Sequence, residues 1–283
     1  MVDVEVMKDM LTDKYKEEII NSVKNSKNWI QIGKGAFSIV YRDRDLAIKK
    51  IMIDYPSSEE TILKYIRKKK KSEPYCLQYI GTFKIDYTTY LVTHYIEGTT
   101  LNKLRSHTFS ALEMIKIIRH LITGLAFLHK NKILHRDIKP ENIILDNVTA
   151  KFIDFGYACF SYESDKLLNF EGSYVFRPLE VLNLMLDYQL MTDDIDEKYS
   201  HSEIINIILA GDIWSLGVSL YETFNKKLLF TANSIEKLLH MVKTTSVKSE
   251  TKNEKIDSII NAMLESDYKK RKSAKEIMLL LED

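Results

Sequence analysis

The hydrophobic residues of this chain change period once. From Trp29 to Ile96 β-branched and aromatic residues mostly alternate with polar ones, interrupted by one helical stretch; after Glu97-Gly98 apolar residues recur every third or fourth position. A period of two lays one face of a strand on a core, and a period of 3.6 does the same for a helix. A strand-rich third followed by a helix-rich remainder predicts an α+β fold in two lobes: a small antiparallel sheet with one main helix, then a larger, mainly helical body, joined near Glu97-Gly98. At 283 residues, 45% of them hydrophobic, the chain can fill either one large domain or two lobes sharing a core.

The local signals subdivide this plan. Val6, Met10, Leu11, Tyr15, Ile19, Ile20 and Val23 fall at helical spacing, so residues 5–24 predict an amphipathic helix. Breaks at Gly33, Gly35 and the polar run 42–45 divide Trp29 to Lys50 into three short strands. A helix follows from Pro56-Ser57-Ser58-Glu59-Glu60 through Ile66, capped by Ser57 or Ser58 and carrying two acids in its first turn. Two more strands are expected around Cys76 to Lys84 and Tyr90 to Ile96. Beyond the junction the helical stretches are 101–105, 110–130, 212–224, 235–243, 255–264 and 274–281.

Composition narrows the partners. With 41 Lys+Arg against 40 Asp+Glu the net charge is +1, which supplies no global field for nucleic acid or an anionic membrane. Cys76 and Cys159 lack metal-ligand spacing and follow no secretory leader, so reduced thiols in an intracellular protein are expected, cytoplasmic by default and nuclear as the other compartment. No run of about 18 apolar residues predicts a membrane span. The basic run 67–71 reads as a solvated helix end.

Chemistry concentrates in Ile133-Leu134-His135-Arg136-Asp137-Ile138-Lys139-Pro140-Glu141-Asn142, followed twelve residues after Asn142 by Asp154-Phe155-Gly156. In this order the two motifs resemble the catalytic loop and metal-binding DFG of eukaryotic-type serine/threonine protein kinases, and the likeness extends over nearly the whole chain. It implies one kinase domain: a helical extension over residues 1–28, an N-lobe over 29–96 and a C-lobe over 97–283. Phosphoryl transfer needs an acceptor hydroxyl in line with the γ-phosphate, a carboxylate to take its proton and cations to offset phosphate charge. By resemblance Asp137 is the base, Lys139 neutralises the transferring phosphate, and Asn142 and Asp154 hold Mg²⁺, for which Mn²⁺ could substitute.

The same resemblance assigns ATP contacts upstream. Ile32, Gly33, Gly35, Phe37 and Val40 match the glycine-rich loop, with Ser38 where a third glycine usually stands. Ala47 and Lys49 match the lysine strand, Lys49 meeting the α- and β-phosphates. Its partner is Glu59, followed by Ile62 and Leu63 at the expected spacing, or else Glu60. Thr93, His94, Tyr95 and Ile96 match the hinge that pairs with adenine, with Thr93 at the gatekeeper position. Downstream, Gly172 to Glu180 match the end of the activation segment, with Pro178-Leu179-Glu180 in place of A-P-E. Glu180 should pair with Arg271, and Asp212 should accept from the catalytic-loop backbone.

Two departures stand out. Glu180 and Asp212 are 32 residues apart, about twenty more than the family pattern needs, which predicts an exposed insertion over about 187–207, either a tolerated surface loop or a protein dock. Asn169 stands where an activation phosphate often sits, so Glu171 replaces it, or Ser161, Tyr162 or Ser164 takes it. Lys139 two residues after Asp137 implies serine or threonine acceptors on protein substrates, with no direct nucleic-acid binding. The alternatives are a kinase-shaped scaffold that binds ATP or partners without efficient transfer, and a small-molecule phosphotransferase of the aminoglycoside type.

Overall fold

The structure is a computed structural model describing residues 4–6, 13–52, 57–69, 74–147, 149–190 and 198–282. The chain divides into two compact units, one of residues 1–72 and 77–97, the other of 73–76 and 98–283.

The first unit is a six-stranded antiparallel sheet. Its strands are β1 (Val4–Val6), β2 (Ile30–Lys34), β3 (Ser38–Asp43), β4 (Leu46–Ile51), β5 (Tyr79–Ile85) and β6 (Thr88–His94), in the order β1-β5-β6-β4-β3-β2. Asp86 and Tyr87, both at positive φ (46° and 64°), form the two-residue turn joining β5 to β6, a backbone whose twist matches that of the strands. The alternation of β4 sorts its faces. Leu46 and Ile48 are buried with Ile80, Phe83 and Val92, and onto this panel helix α1 (Asp13–Lys24) lays Ile19 and Val23. Each such side chain removed from water contributes about 1.5–3 kcal/mol. Trp29 fastens the helix end, donating from Nε1 to Ser22 Oγ at 2.9 Å and packing edge-on against Tyr90. Helix α2 (Glu59–Lys68) buries Glu59, Ile62, Leu63 and Ile66, and Ser57 Oγ accepts from Glu59 N at 3.1 Å.

Two expectations change in this unit. Val4–Val6 is a strand rather than the start of a helix, because it hydrogen-bonds the sheet edge offered by Phe83–Ile85. Met10, Leu11 and Pro56 lie outside the described residues. Arg67 is not a freely solvated charge: its Nη1 donates to the Ile80 carbonyl at 3.0 Å and its guanidinium stacks 4.9 Å from the Tyr79 ring centre.

The second unit contains β7 (Thr99–Thr100), α3 (Ala111–Lys130), β8 (Ile133–Leu134), β9 (Ile143–Asp146), β10 (Thr149–Phe152), β11 (Cys159–Phe160), α4 (Ser164–Leu167), α5 (Leu179–Leu190), α6 (His201–Phe224), α7 (Ile235–Thr244), α8 (Glu254–Met263) and α9 (Ala274–Leu280). A reciprocal cap between Ser110 and Glu113 starts α3. The stretch 101–105, expected as a helix, contains a 3-10 turn over Leu101–Leu104. Strand β8 pairs with β11, and β9 with β10 and β7, so the loops 135–142 and 153–158 are both held at their ends by short antiparallel pairs.

The expected insertion 187–207 is corrected here. Its C-terminal part is the first two turns of α6, which follows the Ser200 cap and begins at His201, eleven residues before the expected start at residue 212. Ile204, Ile207 and Ile208 are buried with Leu134, Leu167 and Leu184, so those residues serve the core. Asp187 to Leu190 end α5, and residues 191–197, with the acids Asp193, Asp194, Asp196 and Glu197, lie outside the described residues. By length and composition α6 resembles a membrane-crossing helix, but 78% of its most apolar window is buried inside the protein.

Candidate active site

In the first unit, one sheet face gathers the residues assigned to ATP. Strand register places Val40 opposite Lys49, Ala47 opposite Thr93, and Lys49 opposite Leu91, so these side chains share a face. Lys49 Nζ lies 2.7 and 2.9 Å from the two oxygens of Glu59, with side chains 15% and 6% exposed. Burying two charges is favourable only when they are paired this closely, and removing one partner typically costs about 3–5 kcal/mol. Glu60 points elsewhere, meeting Lys64 at 3.0 Å and Tyr79 Oη at 3.0 Å. Of the two candidate glutamates, Glu59 pairs with the lysine.

The glycine loop closes through Gly35 N donating to Ser38 O at 2.8 Å. Neither Gly33 nor Gly35 is demanded by the protein's own packing. Neither has positive φ, and an added Cβ would meet only Val40 or Ser38 atoms at 3.8–3.9 Å. Their small size leaves room above the strand for a ligand, and Ile32 beside them is 44% exposed. Phe37 closes the loop through its carbonyl, which accepts from Met52 N at 2.9 Å. At the end of β6, Thr93 is buried, His94 N donates to Gln78 O at 3.0 Å, and Tyr95 N donates to Asp45 O at 2.8 Å. The Arg42 guanidinium covers the Tyr95 ring at 4.0 Å, and Ile96 is half-buried. The His94 ring meets Tyr15 of α1 edge-on, with Nε2 3.4 Å from the phenol oxygen. Burial lowers its pKa, partly offset by Glu18 and Asp45.

In the second unit, Asp137 is the centre of a hydrogen-bonded cluster. Asn142 Nδ2 donates to Asp137 Oδ2 at 2.8 Å and to its carbonyl at 2.9 Å, while Lys139 Nζ lies 2.8 Å from Asp137 Oδ2 and 3.2 Å from Ser173 Oγ. Ser173 N faces Asp137 Oδ1 at 3.4 Å. Between them Gly172 has a φ of 97°, and a Cβ there would lie 3.1 Å from Asp137 Oδ1, so both conformation and space require glycine. Asp154 Oδ1 accepts from Gly156 N at 3.0 Å, and Phe155, fully buried, packs on His135 with ring centres 5.1 Å apart.

Asp212 holds this loop from beneath. It accepts from His135 N and Arg136 N at 2.8 Å each and lies 3.1 Å from His129 Nε2. Burial alone would raise its carboxyl pKa, but the hydrogen bond from His129 and that from the His135 main chain carry it below the ordinary value. Arg136 sits at a φ of 68°, a left-handed conformation costing a non-glycine residue about 1 kcal/mol or more, which the Asp212 contacts stabilise. Burial pushes the His135 pKa down. Further out, Arg271 Nη1 reaches Glu180 at 2.5 Å and Ala210 O at 2.9 Å. Sequence reasoning missed His129 and Tyr15 as partners. His129 is six residues before His135 near the end of α3, and that proximity was its only signal.

Among the described residues no three His, Cys, Asp or Glu side chains gather to hold a metal. The implied pair, Asn142 and Asp154, offers two hard oxygen ligands. With the Asn142 amide nitrogen committed to Asp137, its oxygen is the end that would serve as a ligand. Such a sparse set suits Mg²⁺, which takes one or two protein oxygens and completes its shell with phosphates and water.

Residues 27–279 match the protein kinase domain. The chain belongs to that family, on its eukaryotic-type serine/threonine side, and its fold is the bilobal kinase architecture. It is 29% identical over 251 residues to the serine/threonine-protein kinase fused of Drosophila melanogaster, covering 83% of this chain and 28% of that protein. It is 31% identical over 202 residues to a probable serine/threonine-protein kinase KIN1 homolog of Enterocytozoon bieneusi, covering 69% and 31%. The chain thus spans about a third or less of the length of these relatives. The crystal structure of Rad53 1–466 in complex with AMP-PNP superposes with a TM-score of 0.65 at 20% identity, over 94% of this chain and 68% of that one, a likeness of fold.

Proposed function

We propose that this chain transfers the γ-phosphate of ATP to serine or threonine hydroxyls of proteins. The observation that carries the reading is the cluster around Asp137. An acceptor hydroxyl placed at its carboxylate would lie beside Lys139, in front of a segment whose Ser173 and Gly172 are already ordered against the same oxygens. Asp137 orients that hydroxyl and takes its proton. Lys139 Nζ offsets charge on the transferring group, and Asn142 keeps the carboxylate aimed by donating to Oδ2.

Lys49, held by Glu59, binds the α- and β-phosphates, and Gly33 and Gly35 let the main chain approach them. Ile32, Val40 and Ala47 provide apolar contact for adenine, and the main chain of Thr93 to Ile96 provides its polar contacts. Mg²⁺ or Mn²⁺ bound by Asn142 and Asp154 would neutralise charge on the phosphate oxygens. The catalytic domain so defined spans residues 29–283, with a first lobe ending near residue 96. Both cysteines are buried and unbridged, consistent with a reducing intracellular compartment, cytoplasmic or nuclear.

The test is an ATP/Mg²⁺ assay on casein and on a generic basic protein, comparing wild type with Asp137→Asn and followed by phosphoamino-acid analysis. Phosphoserine and phosphothreonine in the wild type, with at least a hundredfold loss in the variant, are expected. Transfer that survives Asp137→Asn removes Asp137 from its role. Mainly phosphotyrosine overturns the acceptor class, and ATP binding without transfer identifies a scaffold.

A further inference from the structure

Arg177 has no part in the chemistry above, yet it is among the most buried charges in the second unit, at 5% exposure. Its Nη1 donates to the Phe170 carbonyl at 2.9 Å, with the Met185 sulfur 3.4 Å away, and its Nη2 donates to the Glu171 carbonyl. Among the described residues no carboxylate forms an ion pair with it. Burial, and next the charge of Arg136, lower its pKa to about 10, so it remains a cation at neutral pH. A guanidinium in such a place is costly unless fixed dipoles replace the missing anion, and main-chain carbonyls serve that purpose.

Arg136 does the same one step upstream, donating to Lys166 O at 2.6 Å and to the Asn169 carbonyl. Two guanidiniums therefore bind four carbonyls, those of residues 166, 169, 170 and 171. The chain then passes directly into Gly172 and Ser173, the residues in contact with Asp137 and Lys139. On the far side, Arg177 N donates to Tyr174 O at 2.9 Å, and three residues later Glu180 is fixed by Arg271. Arg177 thus joins the two ends of the loop 170–177 whose middle is presented to the base.

We propose that Arg177 is a positioning residue for protein phosphorylation: it clasps the 170–171 main chain so that Gly172 and Ser173 hold the acceptor hydroxyl in line at Asp137. This rests on the function proposed above and adds to it a residue acting on acceptor alignment and not on ATP. A loosened loop misplaces the acceptor by a fraction of an ångström to an ångström, which lowers transfer about 10- to 100-fold.

The test compares wild type, Arg177→Met, which keeps an unbranched apolar stem, and Arg177→Lys, which keeps a cation with fewer fixed donors. Expected for Arg177→Met are a kcat on casein down about 10- to 100-fold and a KM for ATP within about twofold of wild type. Hydrogen exchange should be at least about tenfold faster at the amides of residues 169–173 and unchanged at residues 142–156. Arg177→Lys should fall between the two, and it carries the same readouts if Arg177→Met does not fold.

An unchanged kcat in a folded variant overturns the proposal, as does a kcat loss matched by an equal rise in KM for ATP. Unchanged exchange at 169–173 overturns it as well. If the wild type phosphorylates neither protein, the proposed function fails, while the exchange rates still decide whether the clasp exists.

Discussion

Replacing Asp212 with alanine removes every acceptor contact beneath the catalytic loop at once. Two main-chain donors, the buried His135 N and the half-buried Arg136 N, lose partners at 2.8 Å, and His129 loses one at 3.1 Å. Each stranded buried donor costs about 1–3 kcal/mol. The two main-chain groups alone give about 2–6 kcal/mol, and the left-handed Arg136 adds strain no longer offset. We expect a loss of about 4 kcal/mol, a large share of the 5–15 kcal/mol typical of a folded domain, and a fall in melting temperature of about 10 °C. Asp212→Asn keeps one oxygen but turns an amide nitrogen toward a donor, so it should cost about half as much. Urea unfolding followed by Trp214 fluorescence in a Trp29→Phe background reads the second unit alone. An Asp212→Ala loss below about 1 kcal/mol would refute the reasoning, because it would mean the loop does not depend on this carboxylate.

Acid should weaken the second unit in two stages. His135 has a folded pKa below its unfolded value of about 6.5, so its neutral burial contributes stability that is lost as pH falls below that value; the Asp212 carboxyl, depressed below about 3.9, contributes stability above that value and loses it as pH falls through the lower folded one. Urea midpoints between pH 4 and 8 should therefore decline from about pH 6.5 downward, and a flat profile from pH 7 to 5 would exclude the histidine contribution. In the first unit, Ser38→Gly should change KM for ATP less than about threefold, whereas Lys49→Met should remove most transfer, about a hundredfold or more in kcat/KM. A harmless Lys49→Met would sink the phosphate-cradle assignment, and steady-state kinetics in both ATP and casein decide it.

Local order was legible wherever the side-chain period was regular. The three strands from Ile30 to Ile51 followed from alternation, α3 from the long periodic stretch 110–130, and Glu59 from the apolar pair after it. The start of α6 was hidden because a family-length argument outweighed a local one. Ser200 and Glu203 have the spacing of a helix start ahead of Ile204, Ile207 and Ile208, but the excess length suggested a loop. Strand β1 could not be read from three residues, since its conformation is imposed by the open edge of β5. Arg177 is a similar case. Nothing in its neighbours announces a buried cation, because its partners are carbonyls, which every residue has.

Helix α1 separates two boundaries that are usually drawn as one. The match to the protein kinase domain begins at residue 27, but Ile19 and Val23, at 0% and 5% exposure, are already part of the panel formed by Leu46, Ile48 and Val92. The matched region begins after the helix, whereas the buried panel of the sheet already includes it. A chain shortened to the matched region would keep every residue assigned to phosphoryl transfer and yet expose an apolar sheet face to water, the kind of surface on which copies adhere. The helix covers that face and, through Tyr15, also touches His94 at the end of β6.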